Sequence, residues 1–178
     1  MSLVQISGNA SGTGTLTIAA PNTNSNFTLT LPENTGTLLS TKSAGTVLQV
    51  VNATYSTDTT NGTTTYADTG LTATITPTSA TSKILVLVNQ SGINIDTINS
   101  GTSVQLLRTS TSLVVFASFY GFQTAGVVMG ASACYLDSPA TTSATTYKTQ
   151  FKRAGGSGTA YVQNNSSTST ITLMEIAA

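Results

Sequence analysis

Between Thr13 and Thr41 the chain writes one short phrase twice and begins it a third time, TGTLTIAAPNTNSNFTLTLPENTGTLLST. Gly14–Pro21 (GTLTIAAP) and Asn26–Pro32 (NFTLTLP) each carry Thr-Leu-Thr, an apolar residue and then a proline, and Gly36–Thr41 (GTLLST) restarts the phrase. Side chains alternate across a strand, so Leu16 and Ile18 share one face of the first unit, and Phe27, Leu29 and Leu31 one face of the second, with threonines opposite. A strand this short cannot bury its apolar face alone. The shortage is met when units stack or when copies of the chain wrap together, as in repeat and fibrous assemblies. The phrase therefore predicts an extended β arm over residues 1–42, used for association or attachment, with Leu16, Ile18, Phe27, Leu29 and Leu31 as its interface.

Charge is scarce. Only 7% of the 178 residues are charged, where ordinary soluble domains have about 25%, and the net charge is zero. Serine and threonine keep the surface wet instead, and β-branched threonine suits a pleated, half-solvated sheet. Such a chain has no electrostatic footprint for a phosphate backbone, so nucleic acid is not an expected partner. It also has little net repulsion to hold copies apart, which points to an assembly. The start, MSLVQISGN, lacks both the basic residues and the apolar core of a signal peptide, and no apolar run approaches the ~20 residues of a membrane span, so neither secretion nor membrane insertion is expected.

Catalytic chemistry has few candidates. The chain has no histidine, which removes the usual general base and the commonest metal ligand and excludes Ser-His-Asp, Cys-His and HExxH arrangements. The six acids, Glu33, Asp58, Asp68, Asp96, Asp137 and Glu175, stand singly, without Asp-x-Asp or calcium-loop spacing. Gly155–Gly158 (GGSG) is followed by no Gly-Lys-Ser/Thr and reads as a hairpin tip. The single cysteine, Cys134, sits among apolar neighbours in MGASACYLD and is expected to be a small buried residue. No enzyme activity, cofactor or metal is expected.

Beyond Ser43–Gly45 the pattern becomes longer strands separated by turn clusters, predicting a β-sandwich or jelly-roll knob over residues 43–178. The predicted strands are 46–54, 63–68, 70–76, 83–89, 103–108, 113–120, 126–136, 145–153, 159–163 and 170–176. Asn61-Gly62, Ser91-Gly92, Ser100-Gly101 and Gly155–Gly158 are read as the punctuation between them. Leu71, Ala73 and Ile75 alternate with Thr72, Thr74 and Thr76, the pattern of a strand with one wet face and one packed face. By contrast ILVLV (Ile84–Val88) and LVVFASF (Leu113–Phe119) are apolar on both faces and need cover on the second, most simply from another subunit. Two features could serve surface recognition. In YKTQFKR, Lys148 and Lys152 share a strand face with Gln150, followed by Arg153; in FASFYGF, Tyr120 and Phe122 stand at the end of an aromatic cluster where they could stack on a sugar ring, although solvent-facing charges for the first motif and core or interface packing for the second are the favoured readings.

The repeated phrase, running on into TKSAGTVLQVV (Thr41–Val51), resembles segments of tailed-bacteriophage virion proteins, both capsid decoration or cement proteins and tail fibres; STITLMEIAA (Ser169–Ala178) resembles the closing strand of their β-rich knobs. The resemblance covers those two ends of the chain. It implies a non-enzymatic virion part, made in the host cytoplasm, and supplies a number of copies, three. Because this chain starts with the arm and has no separate tail-attachment segment ahead of it, a trimeric cement protein bound to itself and to the major capsid protein or other virion proteins is expected. The alternative is a short tail fibre or receptor-binding tip recognising a host surface glycan.

Overall fold

The computed structural model describes residues 11–13, 24, 44–122 and 127–178, with 119–122 described by their backbone alone. The chain divides into two units, Met1–Thr37 and Leu38–Ala178, and every element below belongs to the second. The arm residues Leu16, Ile18, Phe27, Leu29 and Leu31 lie outside the described residues.

Ten strands follow one another: β1 (Val47–Tyr55), β2 (Thr59–Asn61), β3 (Ala67–Ile75), β4 (Lys83–Ile95), β5 (Ser100–Arg108), β6 (Thr111–Phe122), β7 (Met129–Asp137), β8 (Thr145–Gly155), β9 (Ala160–Val162) and β10 (Ser169–Ile176). A single 3-10 turn, Asn164–Ser166, is the one helical element among the described residues. The strands form two antiparallel sheets. The first runs β1-β10-β4-β7, with β9 and β2 continuing it beside the far end of β4; the second runs β3-β8-β5-β6.

The eight long strands pair as a nested set. The first pairs with the last (β1 with β10), the next with the one before last (β3 with β8), then β4 with β7, and innermost β5 with β6. Two further pairings, β10 with β4 and β8 with β5, close each sheet. That nesting is one long hairpin rolled into two layers, the arrangement of a jelly roll. The sequence expectation of an all-β sandwich of this kind holds.

Between the layers lie two apolar clusters. One gathers Leu71, Ala73, Ile75, Ile84, Val86, Val88, Leu106, Tyr147, Ile171 and Leu173; the other gathers Ile93, Ile95, Val104, Ala117, Ala131, Phe151, Ala160 and Val162. Phe116 packs against both. At the seam between the clusters runs a buried polar chain that crosses from sheet to sheet. Thr69 on β3 meets the Thr149 hydroxyl on β8 at 2.6 Å, Thr149 Oγ1 donates to Gln90 Oε1 on β4 at 2.9 Å, and Gln90 Nε2 donates to Ser169 Oγ on β10 at 2.9 Å. Because Thr149 donates to Gln90, Thr69 is the donor to Thr149, and its oxygen then accepts the Leu71 N–H at 3.1 Å. Each link satisfies a group that would otherwise be buried and unpaired.

Some predicted punctuation lies inside strands. Ser91-Gly92 does not end β4, which continues to Ile95; it makes a bulge between Gln90 and Ile93 where Gly92 adopts φ +65°. The Gln163–Asn164 backbone passes directly over that glycine and leaves no room for a Cβ. Likewise Ser100-Gly101 opens β5, and residues 63–65 bend ahead of a single β3 that absorbs two predicted strands. Cys134 is a second correction. It is exposed, because the alternation that sends Ala133 and Tyr135 inward on β7 sends Cys134 out.

Candidate assembly interface

The outer faces of the two sheets differ in kind. On the second sheet most outward residues are polar and bonded to one another, with Val115 on β6, opposite Gln105 and 46% exposed, as the large apolar exception. Asp68 on β3 pairs with Lys148 Nζ on β8 at 2.9 Å and accepts from Gln150 Nε2 at 2.8 Å; Gln105 on β5 donates to Gln150 at 3.0 Å and accepts from Ser112 on β6 at 2.9 Å. Burial works against the Asp68 charge, but Lys148 and Gln150 hold its carboxyl below the ordinary range. This ladder belongs against water.

The first sheet carries the opposite surface. Register places Val50 on β1 opposite Met174 on β10, Met174 opposite Leu85 on β4, and Leu85 opposite Leu136 on β7. Those four outward side chains form one apolar row across the sheet. Val50 is 56% exposed and Leu136 54%. Toward the chain ends Val47 stands opposite Ile176, which stands opposite Lys83. One row the other way comes Asn52, Thr172, Leu87 and Cys134, and beyond it Thr54, Thr170, Asn89 and Ser132. The face thus grades along the strands from apolar to hydroxyl and amide. Lys83 is the one charge along these rows, and its Nζ turns to Ser138 Oγ at 3.0 Å. The doubly apolar reading of Ile84–Val88 is therefore right in its geometry: Ile84, Val86 and Val88 fill the core, while Leu85 and Leu87 help form the exposed face.

Of the residues expected to serve surface recognition, the three basic ones each have a partner within the sandwich. Lys148 is held by Asp68, Lys152 lies over the Tyr66 ring with 4.6 Å to its centroid, and Arg153 Nη1 donates to the Gly158 carbonyl at 3.3 Å. Tyr120 and Phe122 occupy β6 opposite Thr102 and Ser100; their side chains lie outside those described. Tyr147, Thr149 and Phe151 point inward as the alternation predicted.

Two buried acids pin the pole of the sandwich where β1 begins and β10 ends. Arg108 Nη1 contacts both oxygens of Asp137, at 2.9 and 2.8 Å, while the Tyr147 hydroxyl donates to Asp137 Oδ2 at 2.6 Å, tying the second sheet to β7. Burial and the Asp137 carboxylate push the Tyr147 phenol far above its ordinary pKa. Glu175, on β10, accepts from Gln49 and from the Thr78 backbone and hydroxyl, fixing the β3–β4 connection. Beside it opens a cavity of about 580 Å3 lined by Leu48, Thr78, Ser79, Thr81, Ser82, Ala177 and Ala178, hydroxyls and small apolar groups without a charged side chain. Among the described residues no cluster of three potential metal ligands occurs. Neither buried acid is open to a substrate; both act as structural ties.

No protein-family model matches the chain, and no curated protein does. Among solved structures it is similar to the infectious bursal disease virus VP2 subviral particle, with a TM-score of 0.48 and 13% identity over 72% of this chain and 32% of that one. It is similar also to the Gx strain of infectious bursal disease virus, with a TM-score of 0.32 and 18% identity over 74% of this chain and 37% of that one. The chain spans about a third of the length of these solved chains. Its own strand order, rather than these likenesses, identifies the fold.

Proposed function

We propose that the chain is a structural protein of a tailed-bacteriophage virion, working as a trimeric decoration or cement protein on the head. The single observation that carries the structural role is the exposed apolar row on the outer face of the first sheet, with Lys83 as the one charge beside it, a surface suited to burial against protein and not to chemistry. The repeated N-terminal phrase supports attachment, and the resemblance of both chain ends to phage virion proteins supplies the class and the number three. A jelly roll by itself does not choose a function. The mechanism is mechanical: the arm adds strands and buried apolar area across neighbouring subunits, and binding that favours the closed shell stabilises it by mass action.

The test is deletion of residues 1–41. The sandwich is expected to stay folded, since its core is made between residues 51 and 173, while the shortened protein no longer stays on capsids and those capsids release DNA at lower temperature. Unchanged capsid stability with reduced host adsorption would select instead the tail-fibre reading, with a host glycan as partner. Loss of the folded sandwich would place the arm's apolar residues in its core and sink the two-part division.

A further inference from the structure

We infer that the outer face of the first sheet is an interface with the same face of a second copy, the two related by a two-fold axis parallel to the strands. The inference rests on the self-assembly reading above and names its partner and geometry. A two-fold contact is isologous, so the patch must complement itself. Laying one sheet face to face on another about an axis along the strands reverses the strand order and keeps each row on its own row. Val50 then meets Leu136 of the second copy and Met174 meets Leu85, each contact occurring twice. The hydroxyl and amide row Thr54, Thr170, Asn89 and Ser132 likewise meets its own kind. An axis across the strands reverses the rows instead and lays the apolar row over the mixed row of Asn52, Thr172, Leu87 and Cys134, so the apolar gradient favours the first arrangement.

Charge permits the contact. The nearest charge, Lys83, comes to lie beside Ile176 of the second copy, where its stem can lie along the apolar chain while the ammonium stays wet. Size is sufficient for a specific but modest pair. Four strands about 4.8 Å apart and four rows about 6.8 Å apart cover about 500 Å2 in projection, against about 800 Å2 of accessible surface per partner in a standard interface. Aligned packing of two twisted sheets at about −30° is an ordinary sandwich geometry.

Mass measured by light scattering on the full chain at tens of micromolar tests this directly. Leu136→Asp and Val50→Asp are each expected to halve the particle mass, while Thr74→Asp, on the wet face of the second sheet, leaves it unchanged. An unchanged mass in both face variants, with Leu29→Asp reducing it, overturns the face and leaves arm-driven assembly standing; a wild-type monomer overturns both. Cross-linking covers the case in which a face variant fails to fold. In the Asn52→Cys full chain a bismaleimide spanning about 10 Å should join the introduced thiol of one copy to Cys134 of the other, because facing sheets lie about 10 Å apart. Cys134 alone should not couple to its own counterpart, displaced by about 14 Å across the sheet. Absence of the Asn52→Cys cross-link in an associated sample overturns the geometry.

Discussion

Gln49 and Glu175 face each other across the β1–β10 pair, and the Gln49 amide donates to Glu175 Oε2 at 2.6 Å. The carboxylate is fully buried and also receives the Thr78 N–H at 2.8 Å and the Thr78 hydroxyl at 2.7 Å. Burial alone would raise its pKa. The Gln49 and Thr78 donors outweigh burial and pull it down to about 2.

Acid stability follows from that pair. The folded pKa lies below the unfolded value of about 4.5, so the unfolded chain binds the proton first and Glu175 contributes stability above that pH which is lost as pH falls toward 2. The full difference is on the order of 3 kcal/mol. Without histidine the protein is expected to melt at nearly constant temperature from about pH 5.5 to 8 and to lose stability below about 4.5. Melts at half-unit pH steps check this, and Glu175→Gln should flatten most of the acid limb. A midpoint that moves steeply near neutrality contradicts it.

Gly92 has no substitute. Alanine there must hold φ +65° and drive its Cβ into the Gln163 and Asn164 backbone, which the rest of the first sheet fixes. Gly92→Ala is expected to cost more than the ~1 kcal/mol of a left-handed alanine alone, about 2–4 kcal/mol. Urea titration of both proteins measures it; a loss under about 0.5 kcal/mol would mean that the bulge relaxes freely.

The buried polar chain should behave as a unit. Thr149→Val strands Gln90 Oε1 and the Thr69 hydroxyl, and Gln90→Leu strands the Thr149 hydroxyl proton while Ser169 Oγ keeps the Ser91 N–H and Gln163 Nε2 as donors, so each alone is expected to cost about 1–3 kcal/mol. The double variant replaces both polar partners with apolar groups and should cost less than the sum by at least about 0.5 kcal/mol. Strict additivity in chemical denaturation would show that the links are energetically independent.

Leu173 and Leu136 separate folding from association. Leu173 is fully buried between the sheets, and Leu173→Ala is expected to cost about 2–5 kcal/mol. Leu136→Ala, at an exposed position, should change the stability of the dissociated chain by no more than about 0.5 kcal/mol. Denaturation at low protein concentration checks the contrast.

Much of this was legible from alternation alone. Leu71, Ala73 and Ile75 against their threonines, and Tyr147, Thr149 and Phe151 against Lys148, Gln150 and Lys152, reveal face as well as strand because each side-chain set meets a different medium. The double-sided strand Ile84–Val88 likewise announced a face in need of cover. Glycine misled where it served packing instead of turning: Gly92 permits a close crossing inside β4, and Gly101 sits within β5. Cys134 was misjudged because apolar neighbours in sequence alternate between two faces, one of which here is apolar and exposed. The nested pairing had no local signal, since Tyr55 meets Ser169 and Ala67 meets Phe151 only when most of the chain is in place.

The Gly45 N–H donates to the Ala177 carbonyl at 2.8 Å and the Ala177 N–H to the Thr46 carbonyl at 2.9 Å, so the sandwich starts and finishes at the same spot. A rolled hairpin whose ends touch has no obligatory first residue. A short glycine-serine linker from Ala178 to Ala44 would close residues 44–178 into a circle, and a new opening at the exposed Ile98–Asn99 connection would give a circularly permuted jelly roll with every strand pair retained and its termini moved to the opposite pole.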